Sequence, residues 1–501
     1  MSTWGSGYVT DIAYTPGWYR QQSPSIMSLA CLLGCVASPM PAGDDEVQYL
    51  ELGCGYGYTA MLLAACNPAW RVTAVDYHPT HIAAARDCAA EAGLTNVTFI
   101  EGDLTTLADD AAGRQIPEAD FVSMHGVWSW VPETVKAGIV RLLRDKVRPG
   151  GAVHVSYNAL PAWSSALGMA RLLRTVGRQR AARSDRQAED GFKFLRELAA
   201  ADAMHLKRSH IAKVLMEKLD ELPITYLAHE YMNEHWAPCY MADVAEALGG
   251  AKLEWVASAN LIENFSELTL TETQRALMHR FDDPLLRELI KDHCIERPLR
   301  HDVYVRGARR ISPYQRDAAL MDLSLSLNVP AKDLPLEAEM PAGRAALNPK
   351  FYRPIADALE PAPRRVGDLL HLPEIEGKRD NPSELVGILL GSELAELAAR
   401  PGAPPSAVAQ RFNQAMSRRM MQTEPMTRPV GVATVRLGTP TPASVLDMVV
   451  LDRTLDGEGS IEDLVRFFHS TITITDEARL RTVLTGCLEN RMPRLRAAGV
   501  L

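Results

Sequence analysis

Between residues 47 and 157 the chain alternates two hydrophobic rhythms. Short β-rich apolar stretches fall at 47–52, 71–75, 97–101, 119–124 and 152–157. Between them lie stretches with the spacing of a helix, at 59–66, 79–92 and 132–145. Pro79 suits a first helical turn, Gly93 a helix stop, and Arg148-Pro149-Gly150-Gly151 a turn. Strand and helix in strict alternation predict right-handed crossovers and a parallel sheet, an α/β fold. The rhythm then breaks: 164–250 reads as helices, and only 253–257 and 301–306 return to strand pattern. These are read as the last two strands, with a helical insertion before them and closure of the sheet near residue 308.

The organisation expected is a core at 1–163 with an aromatic-rich N-terminal arm, an inserted and completing region at 164–308, and a mainly helical region at 309–501. No tryptophan follows Trp255, and prolines mark joints at 330–341, 361–363 and 401–405. Helical patterns recur there at 349–358, 384–399, 406–421, 442–455 and 476–493, with a short β-like 471–475. The compositional break predicts that 309–501 is separable from the core.

The first strand runs into Leu50-Glu51-Leu52-Gly53-Cys54-Gly55-Tyr56-Gly57-Tyr58-Thr59. Strand, glycine turn and helix leave little side chain above the turn, and the free N–H groups of the helix face whatever binds there. A dinucleotide loop favours G-x-G-x-x-G, but here the third glycine comes one residue early and an acid, Glu51, precedes the first. Asp76 ends the second strand and Asp103 follows the third, so three acids stand where open α/β sheets bind ligands. A carboxylate at Asp76 suits two ribose hydroxyls.

This loop resembles motif I of class I S-adenosylmethionine (AdoMet) methyltransferases. The resemblance implies a Rossmann-like parallel sheet with an antiparallel last strand, and AdoMet as cofactor. It implies that Gly53, Cys54, Gly55 and Gly57 curl round the amino-acid end, with Glu51 near the ammonium. Asp76 and Tyr77 would then take the ribose, and Asp103 and Leu104 the adenine. Further segments are more specific: His125-Gly126-Val127-Trp128-Ser129-Trp130-Val131-Pro132, Ser156-Tyr157-Asn158, and His229-Glu230-Tyr231-Met232 before Pro238-Cys239-Tyr240. Over residues 8–308 they look like bacterial methyltransferases with a regulatory domain, a group that includes rickettsial protein lysine methyltransferases acting on an outer-membrane protein. Relatives often have Pro-Gly after the Tyr-Asn, where this chain has Leu160-Pro161-Ala162-Trp163. Residues 309–501 resemble the winged-helix-like C-terminal part of the same relatives.

His125, Tyr157 and Asn158, ending strands four and five, are the candidate catalytic residues. His125 would serve either as a base for an ammonium or thiol nucleophile or as a hydrogen-bonding partner of the adenine. Trp128, Trp130 and Trp163 would either wall the cavity and hold a cation by cation–π contact or simply pack in the core. Trp4, Tyr8, Tyr14, Trp18 and Tyr19 crowd the N-terminus. They form either a packed arm or a lid, and in the second case Tyr8 and Tyr14 touch the cofactor. Cys54 is read as a small apolar filler. His229 and His235 are too far apart for a helical zinc pair, so no metal is expected.

Composition narrows the partners. The 501 residues are 47% hydrophobic and 23% charged with a formal net charge of −9, which argues against nucleic acid and anionic membranes. Eight cysteines without a C-x-x-C pair, no secretory signal and no run long enough for a bilayer predict a cytoplasmic protein. The expected acceptor is a protein side chain, most plausibly lysine, or a small amine or thiol. A regulator that binds AdoMet without turnover is the alternative of another class, and a homodimer is left open.

Overall fold

The computed structural model describes residues 9–12, 17–40, 46–179, 183–376, 380–472 and 476–501. Seven strands form the central sheet: β1 (Gln48–Leu52), β2 (Arg71–Asp76), β3 (Val97–Glu101), β4 (Ala119–Met124), β5 (Val147–Asn158), β6 (Leu253–Ser258) and β7 (Leu299–Arg306). Their order is β3-β2-β1-β4-β5-β7-β6, and β7 runs antiparallel to both its neighbours. This is the class I methyltransferase sheet, completed by the two late strands. The reversal between β1 and β4 opens a crevice at the carboxyl ends of the strands.

Helices α1 (Pro24–Leu33), α2 (Tyr58–Cys66) and α3 (Pro79–Ala92) cover one face. The other carries α4 (Ala111–Gln115) and α5 (Glu133–Lys146). The insertion supplies α6 (Leu167–Gly177), α7 (Ser184–Ala200), α8 (Met204–Arg208), α9 (His210–Lys218), α10 (Ile224–Tyr231) and α11 (Met241–Gly249). Pro79 sits in the first turn of α3, and Gly93 ends it at φ +68°, a left-handed cap that glycine adopts without strain.

Every residue of α2 is buried, which requires cover on both sides of the helix. The second cover is the C-terminal region. One continuous apolar core joins Leu62 and Ala65 to Phe412, Met416 and Val450. The Tyr58 hydroxyl donates to the Gly431 carbonyl at 2.9 Å, and Asn67 donates to that of Gly438 at 2.9 Å. The expectation that 309–501 is separable is therefore corrected: its prolines mark turns within a shared core.

That region is mainly helical with small antiparallel sheets, one of them three-stranded around Ser324–Leu327. The pattern at 384–399 divides into a helix, Pro382–Gly391, and a strand, Ala395–Leu397, paired with Ser324–Leu327. Likewise 442–455 divides into strand Thr441–Ser444 and helix Val445–Leu455. Thr471 ends the helix Ile461–Thr471, while 473–475 lie outside the described residues. No helix among the described residues is long and apolar enough to cross a membrane.

Candidate active site

The carboxyl ends of the strands and the insertion enclose a cavity of about 450 Å³. At one end lies the glycine loop. Gly53, Gly55 and Gly57 all have positive φ (+74°, +53° and +70°). A Cβ at Gly53 would collide with Val127 and one at Gly57 with the Phe99 ring, but at Gly55 there is open space. Packing thus demands two of the glycines, and the third leaves room for a ligand over the backbone.

Asp76 fixes that loop. Its Oδ2 accepts from the Gly55 N–H at 2.7 Å and its Oδ1 from the His78 N–H at 2.9 Å, with His81 Nδ1 3.1 Å away. Asp103 accepts from the Thr105 N–H at 2.8 Å. Asp76, Tyr77, Asp103 and Leu104 line the cavity with Gly53 and Gly55. Cys54 and Gly57 do not: both pack inward, and burial raises the Cys54 thiol well above its ordinary value.

Glu51 lies beneath the loop, not on the cavity wall. Its Oε1 accepts from Gln22 at 3.1 Å, while Oε2 is buried without a hydrogen-bond partner. Burial pushes its pKa up to about 8, against the pull of Gln22, with Asp76 adding to the rise. An orphaned carboxylate oxygen behind an open glycine turn, flanked by two strand-end acids, fits a ligand with an ammonium group and a ribose.

From Glu51 a polar row crosses the sheet. Gln22 donates also to Ser123 Oγ at 3.3 Å; Ser123 Oγ lies 3.0 Å from His154 Nδ1, and His154 Nε2 lies 3.1 Å from His301 Nδ1. The His301 ring stacks on His125, and Tyr19 stacks on His125 at 3.7 Å. Burial holds His125 and His154 well below the usual histidine range and His301 at about 4, so all three imidazoles are neutral. Ser156 Oγ accepts from the Gly126 N–H at 2.9 Å and sits 3.0 Å from His125 Nδ1. The Ser156 hydroxyl and His125 Nδ1 share that bond, and either can be its donor. So weak a base as His125 is poorly suited to deprotonating an acceptor.

Tyr157 is a correction. Side chains alternate along a strand, so Ser156 and Asn158 face the cavity and Tyr157 faces the opposite core. Its hydroxyl bonds to Asp302, inside a buried ion cluster with Arg300, Glu288 and Asp292. Asn158 Oδ1 accepts from Trp236 at 3.0 Å, and its NH₂ makes no hydrogen bond among the described residues.

The far end of the cavity is aromatic. Tyr19, Trp130, Trp163, Tyr226 and Tyr231 line it, together with Glu230 and His229. Trp128 is plain core, with the Lys136 ammonium 5.6 Å from its ring centroid. No lysine or arginine lines the cavity among the described residues. Tyr8 and Tyr14 lie outside the described residues, but the neighbouring arm crosses the site. Thr10 lines the cavity, the Val9 N–H donates to Asn233 at 2.7 Å, and Asp11 accepts from Ser184. Sequence reasoning held Tyr19 only within the arm-or-lid cluster, and it missed Ser156, Tyr226 and the chemical position of Glu230. Only Ser156 had a local signal, the two-residue period from Asn158.

Two family descriptions match, "Methyltransferase domain" over residues 50–151 and "Predicted methyltransferase regulatory domain" over residues 223–306. The Synechocystis protein sll1526 is 35% identical over 73% of this chain and 71% of its own length. Rickettsia prowazekii RP789 is 27% identical over 51% of this chain, which spans 46% of that relative. PKMT2 of Rickettsia typhi, solved in complex with AdoHcy, superposes with a TM-score of 0.71 at 17% identity, over 97% of this chain and 99% of that one. Sheet order, glycine loop and these matches together show that the chain belongs to the class I AdoMet-dependent methyltransferases that carry a methyltransferase regulatory domain.

Proposed function

We propose that this methyltransferase acts on an amine nitrogen, the ε-amine of lysine in a protein. One observation carries the reading: the end of the cavity away from the glycine loop is built from five aromatic rings and a carboxylate, with no lysine or arginine among the described lining residues. Such a surface attracts a cation and its aliphatic stem and repels phosphate. The resemblance to rickettsial protein lysine methyltransferases points the same way.

AdoMet, when bound, supplies a methyl on a cationic sulfur. In this reading Asp76 and Tyr77 take the ribose, Asp103 and Leu104 the adenine, and Glu51 Oε2 draws the ammonium through the loop. The neutral His125, clamped by Tyr19 and Ser156, offers a ring nitrogen and a rigid wall. The Asn158 NH₂ orients the acceptor. Aromatic closure excludes water, so positioning in a dry site supplies most of the rate. A small amine enters the same cavity as a second acceptor class.

Purified chain incubated with methyl-labelled AdoMet and a lysate of its source cells tests the proposal. Label is expected in the protein fraction, as methyl-lysine after hydrolysis. Label confined to small molecules, or to residues other than lysine, overturns it; label nowhere favours the non-catalytic alternative.

A further inference from the structure

Glu230 is the one acid in the aromatic half of the cavity, and its setting is costly. It stands in the last turn of α10, where the helix dipole is negative and a carboxylate is disfavoured. No lysine or arginine pairs with it among the described residues, and burial alone raises it to about 7. Its field is felt by the hydroxyls of Tyr19, Tyr226 and Tyr231, each of which it helps to push up. An unpaired carboxylate in such a place adds nothing to stability, whereas a ligand cation would offset the whole cost.

We infer that Glu230 is the acceptor's ammonium site: its carboxylate receives the cationic amine between the aromatic rings and takes the proton that the nitrogen must lose before it attacks. The inference rests on the amine-acceptor reading above. The proton passes from nitrogen to a carboxylate oxygen, and the freed lone pair forms the new N–C bond as the methyl's C–S bond breaks. That electron pair stays on sulfur, leaving a neutral thioether. The product departs as a methylammonium, and Glu230 returns its proton to water.

Titratable groups face it from several sides. On its own helix Glu230 is flanked by Tyr226, His229 and Tyr231. From the N-terminal segment it faces Tyr19, behind which His125 is neutral. The segment entering β7 contributes Pro298 and Leu299, which do not titrate. Arg428, which acts on Tyr19 from the C-terminal region, pairs with Glu424 at 2.7 Å.

The test compares the full chain with Glu230→Gln and Glu230→Asp. In the first arm n-butylammonium is titrated calorimetrically into protein saturated with AdoHcy at pH 7.5. Glu230→Gln is expected to weaken it about tenfold or more, the loss of one charge-assisted contact, with AdoHcy affinity unchanged. In the second arm the rate of methyl-lysine formation in lysate protein is followed from pH 6.5 to 10. Glu230→Gln is expected to fall roughly 10²–10⁴-fold near neutrality. The deficit should shrink towards pH 10, where a lysine of pKa about 10.4 begins to ionise unaided. Glu230→Asp should restore part of the rate. Equal butylammonium binding, or a deficit constant with pH, overturns the assignment of Glu230 while leaving lysine methylation standing. A wild-type chain that neither binds butylammonium nor forms methyl-lysine overturns the amine reading, and the inference with it.

Discussion

Cutting the chain after residue 308 tests how far the C-terminal region is part of the enzyme. The cut uncovers Tyr58 and Leu62 of α2, whose partner is the strand around Gly431, and Ile262 and Phe265, which pack against Gly391 and Gly387. Four large side chains at about 1.5–3 kcal/mol each amount to roughly 6–12 kcal/mol of lost burial. That is comparable to the whole stability of an ordinary domain, about 5–15 kcal/mol. The cut also strands Arg20, which donates to Glu396 at 3.1 Å and to the Leu390 carbonyl at 2.7 Å, next to Tyr19 and Gln22 at the site. Residues 1–308 are therefore expected to show no cooperative unfolding transition by circular dichroism and no AdoHcy binding by calorimetry. A cooperative melt within a few degrees of the full chain, with AdoHcy affinity within a few-fold, would refute the reasoning.

Asp76→Ala should weaken AdoMet at least about tenfold by calorimetry, since two charge-assisted hydrogen bonds of about 1.5–3 kcal/mol each are removed; unchanged affinity would remove Asp76 from the ribose site. Gly57→Ala combines a left-handed backbone, costing about 1–2 kcal/mol, with a collision against Phe99 worth about 1–3 kcal/mol. Denaturant unfolding should show roughly 2–5 kcal/mol lost, whereas Gly55→Ala, with open space, should lose only the backbone part and act mainly on AdoMet affinity. Glu51, raised from the ordinary 4.5 to about 8, holds a proton in the fold that the unfolded chain releases, so its contribution falls as pH rises from about 4.5 to 8. Glu51→Gln, which cannot ionise, should gain stability relative to wild type over that window, on the order of 5 kcal/mol; a constant difference from pH 5 to 8.5 would show that Glu51 is ionised in the fold.

The sequence by itself determined the sheet and the loop. Short-range periodicity placed all seven strands, because strand and helix differ in the spacing of their apolar residues, which is a local property. The glycine spacing with Asp76 and Asp103 marked one end of the cavity, since strand termini in an alternating α/β chain converge on one edge. The same periodicity would have turned Tyr157 away from the cavity and brought Ser156 in. Only the tertiary structure decided the rest. Glu230 and Tyr226 reach the site from a helix far along the chain, and no local pattern tells whether a helical acid faces water or a cavity. The neutrality of His125 comes from burial under Tyr19 and beside His301, groups distant in sequence. The prolines after 309 read as linkers because a turn inside a shared core and a hinge between bodies have the same composition. What separates them is the second cover over α2, and that is made by residues some 370 positions away, as between Tyr58 and Gly431.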